Sequence, residues 1–124
     1  SSANDTIDII TTEDGLKNIS KNHTNTLQKA QNKGIKIRIL TPMISKNMDI
    51  IKTLSNLTEI KIIKEQGSLP IGNMITIDKD QTIMMLTDDE RTHSSQNISF
   101  WTDSDHFTGN FSKNIFNLIW KQTD

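Results

Sequence analysis

Three histidines, His23, His93 and His106, are the side chains best suited to proton transfer or metal ligation near neutral pH. None stands at a diagnostic metal-ligand spacing from another histidine or a carboxylate. There is no cysteine, which removes disulfides, thiolate ligands and thiol nucleophiles together. His23 falls on the apolar stripe of a helical pattern, where a partly buried structural role is expected. His93 lies among Asp88, Asp89, Glu90 and Arg91, a run that reads as solvated charge. His106 follows Thr102 and Ser104 into the first turn of a helix. Helix N-termini attract anions, so Thr102, Ser104 and His106 are candidate ligand-binding residues for a small anion, although helix capping uses the same residue types. Asp103 and Asp105 could in principle do acid–base work, but carboxylates at a helix start ordinarily compensate its dipole. Asp78 and Asp80 read as turn residues. The glycines at 15, 34, 67, 72 and 109 form no phosphate-cradling loop. No metal and no cofactor are expected.

The elements that must position these residues follow an α/β order. Thr6–Thr11 is a β-rich run, and Thr12 caps a helix carrying Leu16, Ile19, His23, Leu27 and Ala30, stopped at Lys33-Gly34. Ile35–Leu40 alternates and ends at Thr41-Pro42, so a βαβ unit with parallel strands is predicted. Ile44, Met48, Ile51 and Leu54 mark a second helix, and Glu59–Lys64 a third strand. Met74–Ile77 and Thr82–Leu86 read as a hairpin around Asp78–Gln81, Thr87–Gln96 as a polar loop, and Ile98–Trp101 as a last strand. A final helix carries Phe107, Phe111, Ile115, Leu118 and Ile119 on one face, with Gly109 marking a kink or a close approach. The fold class is therefore α/β: βαβαβ, a β-hairpin, a short strand and a C-terminal helix, forming a mixed sheet flanked by helices.

With 124 residues the chain fits a single domain, 1–124, and its 20 isoleucines promise an aliphatic core built around a sheet. The 14 basic and 15 acidic residues read as interspersed, with a net charge of −1 and no basic stripe. On that ground no direct nucleic-acid contact is expected. No apolar run is long enough to span a bilayer, so no membrane contact by this segment is expected. A cytoplasmic location is expected. Sequons at Asn18, Asn22, Asn56, Asn97 and Asn110 leave an extracellular sensor domain as the alternative.

The passage Lys29–Pro42, the strand Ile75–Asp78 with its hairpin, and Ile98–Asp103 leading into Phe111–Trp120 together resemble the phospholipase-D-like domain of archaeal TrmB-type transcription regulators and archaeal sensor histidine kinases. The enzymes of that superfamily carry His, any residue, Lys, four residues, Asp. Setting that Asp on Asp78 places Ile71 at the nucleophile and Asn73 at the cation. Isoleucine cannot attack phosphorus, and asparagine supplies no fixed positive charge to a phosphoryl transition state. The resemblance thus implies the fold without the catalysis, with no catalytic residue, and Asn73 becomes a candidate ligand-binding residue.

The expected function is a non-catalytic sensory or interaction domain, a fragment of a larger archaeal signalling protein, with a sensor histidine kinase as the first parental context. The alternative is the effector-binding and dimerisation domain of a TrmB-type regulator. A phosphodiesterase is third, disfavoured by Ile71 and Asn73. A homodimer is expected, with Phe116 and Trp120 as candidate interface residues on the last helix. The other partners are the remaining domains of the parent chain and an unidentified small ligand.

Overall fold

The computed structural model describes residues 5–42, 48–63, 73–78, 80–85 and 99–123. The elements are β1 (Thr6–Ile10), α1 (Glu13–Asn22), α2 (Thr24–Asn32), β2 (Lys36–Pro42), α3 (Met48–Ser55), β3 (Glu59–Ile63), β4 (Asn73–Ile77), β5 (Gln81–Met85) and β6 (Ser99–Thr102). The chain closes with α4 (Asp105–Phe107), a π-helical segment (Thr108–Ser112) and α5 (Lys113–Gln122). One six-stranded mixed sheet runs in the order β3-β2-β1-β4-β5-β6. β1, β2 and β3 are parallel, as the two crossovers require, and β4, β5 and β6 join antiparallel. The α/β class, the mixed sheet and the C-terminal helix read from the sequence match this architecture.

Local chemistry explains the joints. Thr12 Oγ1 accepts from Gly15 N at 3.1 Å, satisfying one of the donors that α1 leaves open, and Glu13 and Asp14 favour the dipole. α2 ends where Gly34 adopts φ +83 and its N–H returns to Gln31 O. Asp78 takes φ +54 at the end of β4, a conformation aspartate tolerates. Its carboxylate accepts from the Asp5 and Thr6 amides, both at 2.9 Å, so the hairpin turn also anchors the start of β1.

Each sheet face has its own core. On one, Ile9, Ile37 and Ile39 pack with Leu16, Leu27, Ala30 and Leu54 beneath α1–α3. On the other, Ile10, Leu40 and Met74 pack against Phe116, flanked by Ile115, Ile119 and Trp120. Both faces of β1 and β2 are covered, and where the second face turns apolar the alternation gives way to the adjacent pairs Ile9-Ile10 and Ile39-Leu40.

Two expectations change. The first helical pattern is two helices broken at His23, which is exposed and serves as C-cap of α1 and N-cap of α2. The break lets Leu16 and Leu27 both reach the core while His23 turns outward. In the last helix the buried face is Thr108, Ser112 and Phe116, whereas Phe111 and Leu118 are exposed. The sheet beneath its first half is polar. Thr82 Oγ1 lies 2.8 Å from Thr108 Oγ1 and donates to Ser112 Oγ at 2.9 Å. The π segment resets the helical phase, so hydroxyls and not phenyl rings face that row. Phe107 instead contacts Phe100 and Phe111, at ring distances of 5.6 and 5.0 Å. A Cβ on Gly109 would meet nothing within 4 Å beyond its own helix, so the glycine marks no close approach.

The glycines give a paired test. A Cβ on Gly15 would run into Thr11 Oγ1 and lie 2.8 Å from Asn73 Oδ1. Gly15→Ala should therefore lower the unfolding free energy by about 1–3 kcal/mol. Gly109→Ala, facing open space, should leave it unchanged or raise it by up to about 1 kcal/mol. Urea unfolding of both variants checks the contrast.

Candidate functional site

The candidate residues fall at opposite ends of the strands. Thr102 sits beside Thr82 and Asn73 beside Met85, three residues further along β5, about 10 Å at strand spacing. At the carboxyl ends of the parallel strands, Asn73 is buried and its Oδ1 accepts from Thr11 Oγ1 at 2.5 Å. It is packed between β1 and the first turn of α1, where it braces the sheet end. Ile71 lies outside the described residues, as does His93.

At the other end Ser104 caps α4, its hydroxyl accepting from Phe107 N at 3.1 Å, and Thr102 Oγ1 accepts from Ser104 N at 3.1 Å. Both hydroxyls serve the backbone. His106 is exposed, with Nδ1 3.0 Å from the Asn110 amide. It borders an open cleft of about 770 Å³ whose walls include Asp80, Asp105, Asn110, Lys113 and Asn117. Of the three candidates at this end, His106 alone belongs to the cleft lining. The arrangement offers carboxylates, amides and the His106 imidazole to a polar ligand.

Under this cleft lies a charge network that sequence reading did not single out. Asp8, on the central strand β1, is wholly buried. Arg38 grips it in bidentate fashion, Nε to Oδ1 at 2.8 Å and Nη2 to Oδ2 at 2.9 Å. Lys113 Nζ reaches the same Oδ2 at 2.9 Å and donates to Thr6 Oγ1 at 2.9 Å. Arg38 Nη2 also donates to Asn117 Oδ1 at 3.0 Å. The guanidinium lies 4.8 Å from the Phe116 ring centre and 5.3 Å from that of Trp120, and these two rings stack on each other at 5.6 Å. Lys61 completes the set, donating to Trp120 O at 2.9 Å with its ammonium 4.5 Å from the indole. The signal was available: Asp8 interrupts an isoleucine strand, and Arg38 sits in the next one.

Phe116, expected on a partner-facing edge, is wholly buried, because the helix turns that side onto Ile10, Leu40 and Met74. Trp120 is half-buried beside it. Among the described residues no group of three His, Asp or Glu side chains could hold a metal ion, and no helix is long and apolar enough to cross a membrane.

This fold is phospholipase-D-like. It is similar to the solved structure of TrmBL2, described as an archaeal chromatin protein with a novel mode of DNA binding, at TM-score 0.69 and 15% identity over 99% of this chain. It is also similar to Nuc from Salmonella typhimurium, a phospholipase D family member, at TM-score 0.66 and 12% identity over 99% of this chain. The chain spans 46% of the TrmBL2 chain and 82% of Nuc. No protein-family model and no curated protein matches the sequence. The likeness to a DNA-binding chromatin protein overturns the expectation of no direct nucleic-acid contact. That expectation rested on the net charge and on acids and bases that read as interspersed, and the interspersion does not hold: no Asp or Glu lies between Gly15 and Met48.

The network makes a test of its own. Asp8→Asn leaves two nearly buried cations facing a neutral amide and should cost about 3–5 kcal/mol of stability. Replacing the triad with apolar groups, Asp8→Leu with Arg38→Met and Lys113→Met, should recover most of that loss, since the desolvation cost goes with the charges. Denaturant unfolding of both variants decides it; a triple variant as unstable as the single one would contradict the charge account.

Proposed function

We propose that this chain is a non-catalytic regulatory domain of a DNA-associated protein of the TrmB type. The observation that carries the reading is Asn73. At the position where the enzymes of the resembled superfamily hold a lysine, it is a neutral amide, buried and bonded to Thr11. A side chain so placed braces β1 and α1 and supplies no cation to a phosphodiester. The likeness to TrmBL2 favours the DNA-associated context over the sensor-kinase context also expected from the sequence. In this reading the cleft beside His106 is the ligand input. The network that fastens α5 to the sheet is the element whose equilibrium a ligand would bias, by binding two arrangements of that helix unequally.

Incubation with labelled duplex DNA at about 50 mM salt, where phosphate contacts are strong, tests both halves. The expected result is DNA that is bound and recovered intact. Cleavage that copurifies with the chain would contradict the non-catalytic half, and unbound DNA would contradict the DNA-associated half.

A further inference from the structure

Charge in this molecule is segregated, not interspersed. From Gly15 to Met48 the sequence carries Lys17, Lys21, Lys29, Lys33, Lys36, Arg38 and Lys46 and not one Asp or Glu. Half of the 14 basic residues thus occupy 34 of 124 positions, and the remainder of the chain holds all 15 acidic ones. A net charge of −1 conceals a segment at +7 and a remainder at −8.

The fold lays α1 and α2 over the same face of the sheet, so the outward lysines of both helices meet solvent on that side. Lys17 and Lys21 stand one turn apart on α1, and Lys29 and Lys33 one turn apart at the end of α2, all four exposed. Lys17 meets Glu13 at 3.7 Å and Lys36 meets Glu59 at 3.4 Å, both exposed pairs that water and salt screen. Arg38 is committed to Asp8. Lys21, Lys29 and Lys33 have no ion-pair partner among the described residues. Between them lie exposed polar side chains, His23 and Asn25 among them.

We propose that the α1–α2 face is a docking surface for the phosphate backbone of duplex DNA, a proposal that rests on the DNA-associated reading above. Lysines at i and i+4 are separated by about 6 Å of helix rise, against a phosphate charge every 3.4 Å or so along each strand of the duplex. Uncharged amides beside them suit backbone contacts that position a protein without reading sequence. The same face does not suit a bilayer, because Leu16, Leu27 and Ala30 are buried against the sheet and the exposed side of both helices is polar. The acids of this face, Glu13 and Asp14, are confined to the first turn of α1, at the end away from Lys21, Lys29 and Lys33, while Asp80, Asp103 and Asp105 lie on other elements, so the charge separation orients the approach.

The test is fluorescence anisotropy of a labelled duplex titrated with the whole chain over a series of salt concentrations. Each phosphate contact contributes about −0.9 to the slope of log affinity against log salt. The triple variant Lys21→Gln, Lys29→Gln, Lys33→Gln, shown by circular dichroism to melt like the parent, should lose about three units of slope and at least tenfold in affinity at low salt. Lys121→Gln, on the opposite side of the sheet, should change little by comparison. A triple variant that keeps the parental slope would overturn this surface while leaving the DNA-associated reading intact. A parent chain that ignores duplex DNA would overturn both, as would one that binds phosphatidylserine vesicles in preference.

Discussion

A carboxylate sealed in the middle of a sheet sets the terms for the rest of this molecule. Asp8 is wholly buried on the central strand, and stripping such an ion of water costs several kcal/mol unless cations and donors replace the solvent. The replacements come from far along the chain, Arg38 on the neighbouring strand and Lys113 on the last helix. The ion pairs therefore specify where α5 must lie, at a position along β1 that hydrophobic packing alone would leave open to sliding. Phe116 and Trp120 then close over the guanidinium, and Lys61 takes up the Trp120 carbonyl near the C-terminal end of the helix, where a cation also opposes the dipole.

The same row of the sheet explains the first half of that helix. Asp8 lies beside Thr76, and Thr76 beside Thr82, so the surface offered to residues 108–112 is a line of polar groups. Thr108 and Ser112 match it, and the π segment brings them into phase before Phe116 meets the apolar row of Ile10, Leu40 and Met74. Polar contacts near the hairpin end and apolar contacts toward the carboxyl ends thus divide the helix, and the cleft opens on the polar half.

The strands themselves, the βαβ crossovers, the hairpin and the cap at Thr12 were legible because period, turn chemistry and capping are local properties. What escaped local reading was set by distant neighbours. Helical spacing puts Phe107 and Phe111 on the main apolar stripe, but the sheet beneath that half of the helix is polar, and sequence spacing cannot show that. His23 fits the stripe of one long helix only if the helix does not break. The pairing of Asp8 with Lys113 spans 105 positions and leaves no local trace. Of the candidate site, His106 reached the cleft, whereas Thr102 and Ser104 are spent on the helix start and Asn73 on the far end of the sheet. Charge misled most: acids and bases read as interspersed, although residues 15–48 hold no acid at all, a feature that a whole-chain sum hides.

Joined together, these features make a module whose catalytic end is proposed to be silent and whose last helix is fastened by charge. Native-state hydrogen exchange tests that fastening most directly. In Lys113→Met, amides of Lys113–Gln122 should exchange at least about tenfold faster than in the parent, while those of Ile37 and Ile39 keep their protection, as expected for a locally released unit. Uniform loss of protection across the sheet and helix, or no change in the helix, would contradict the account.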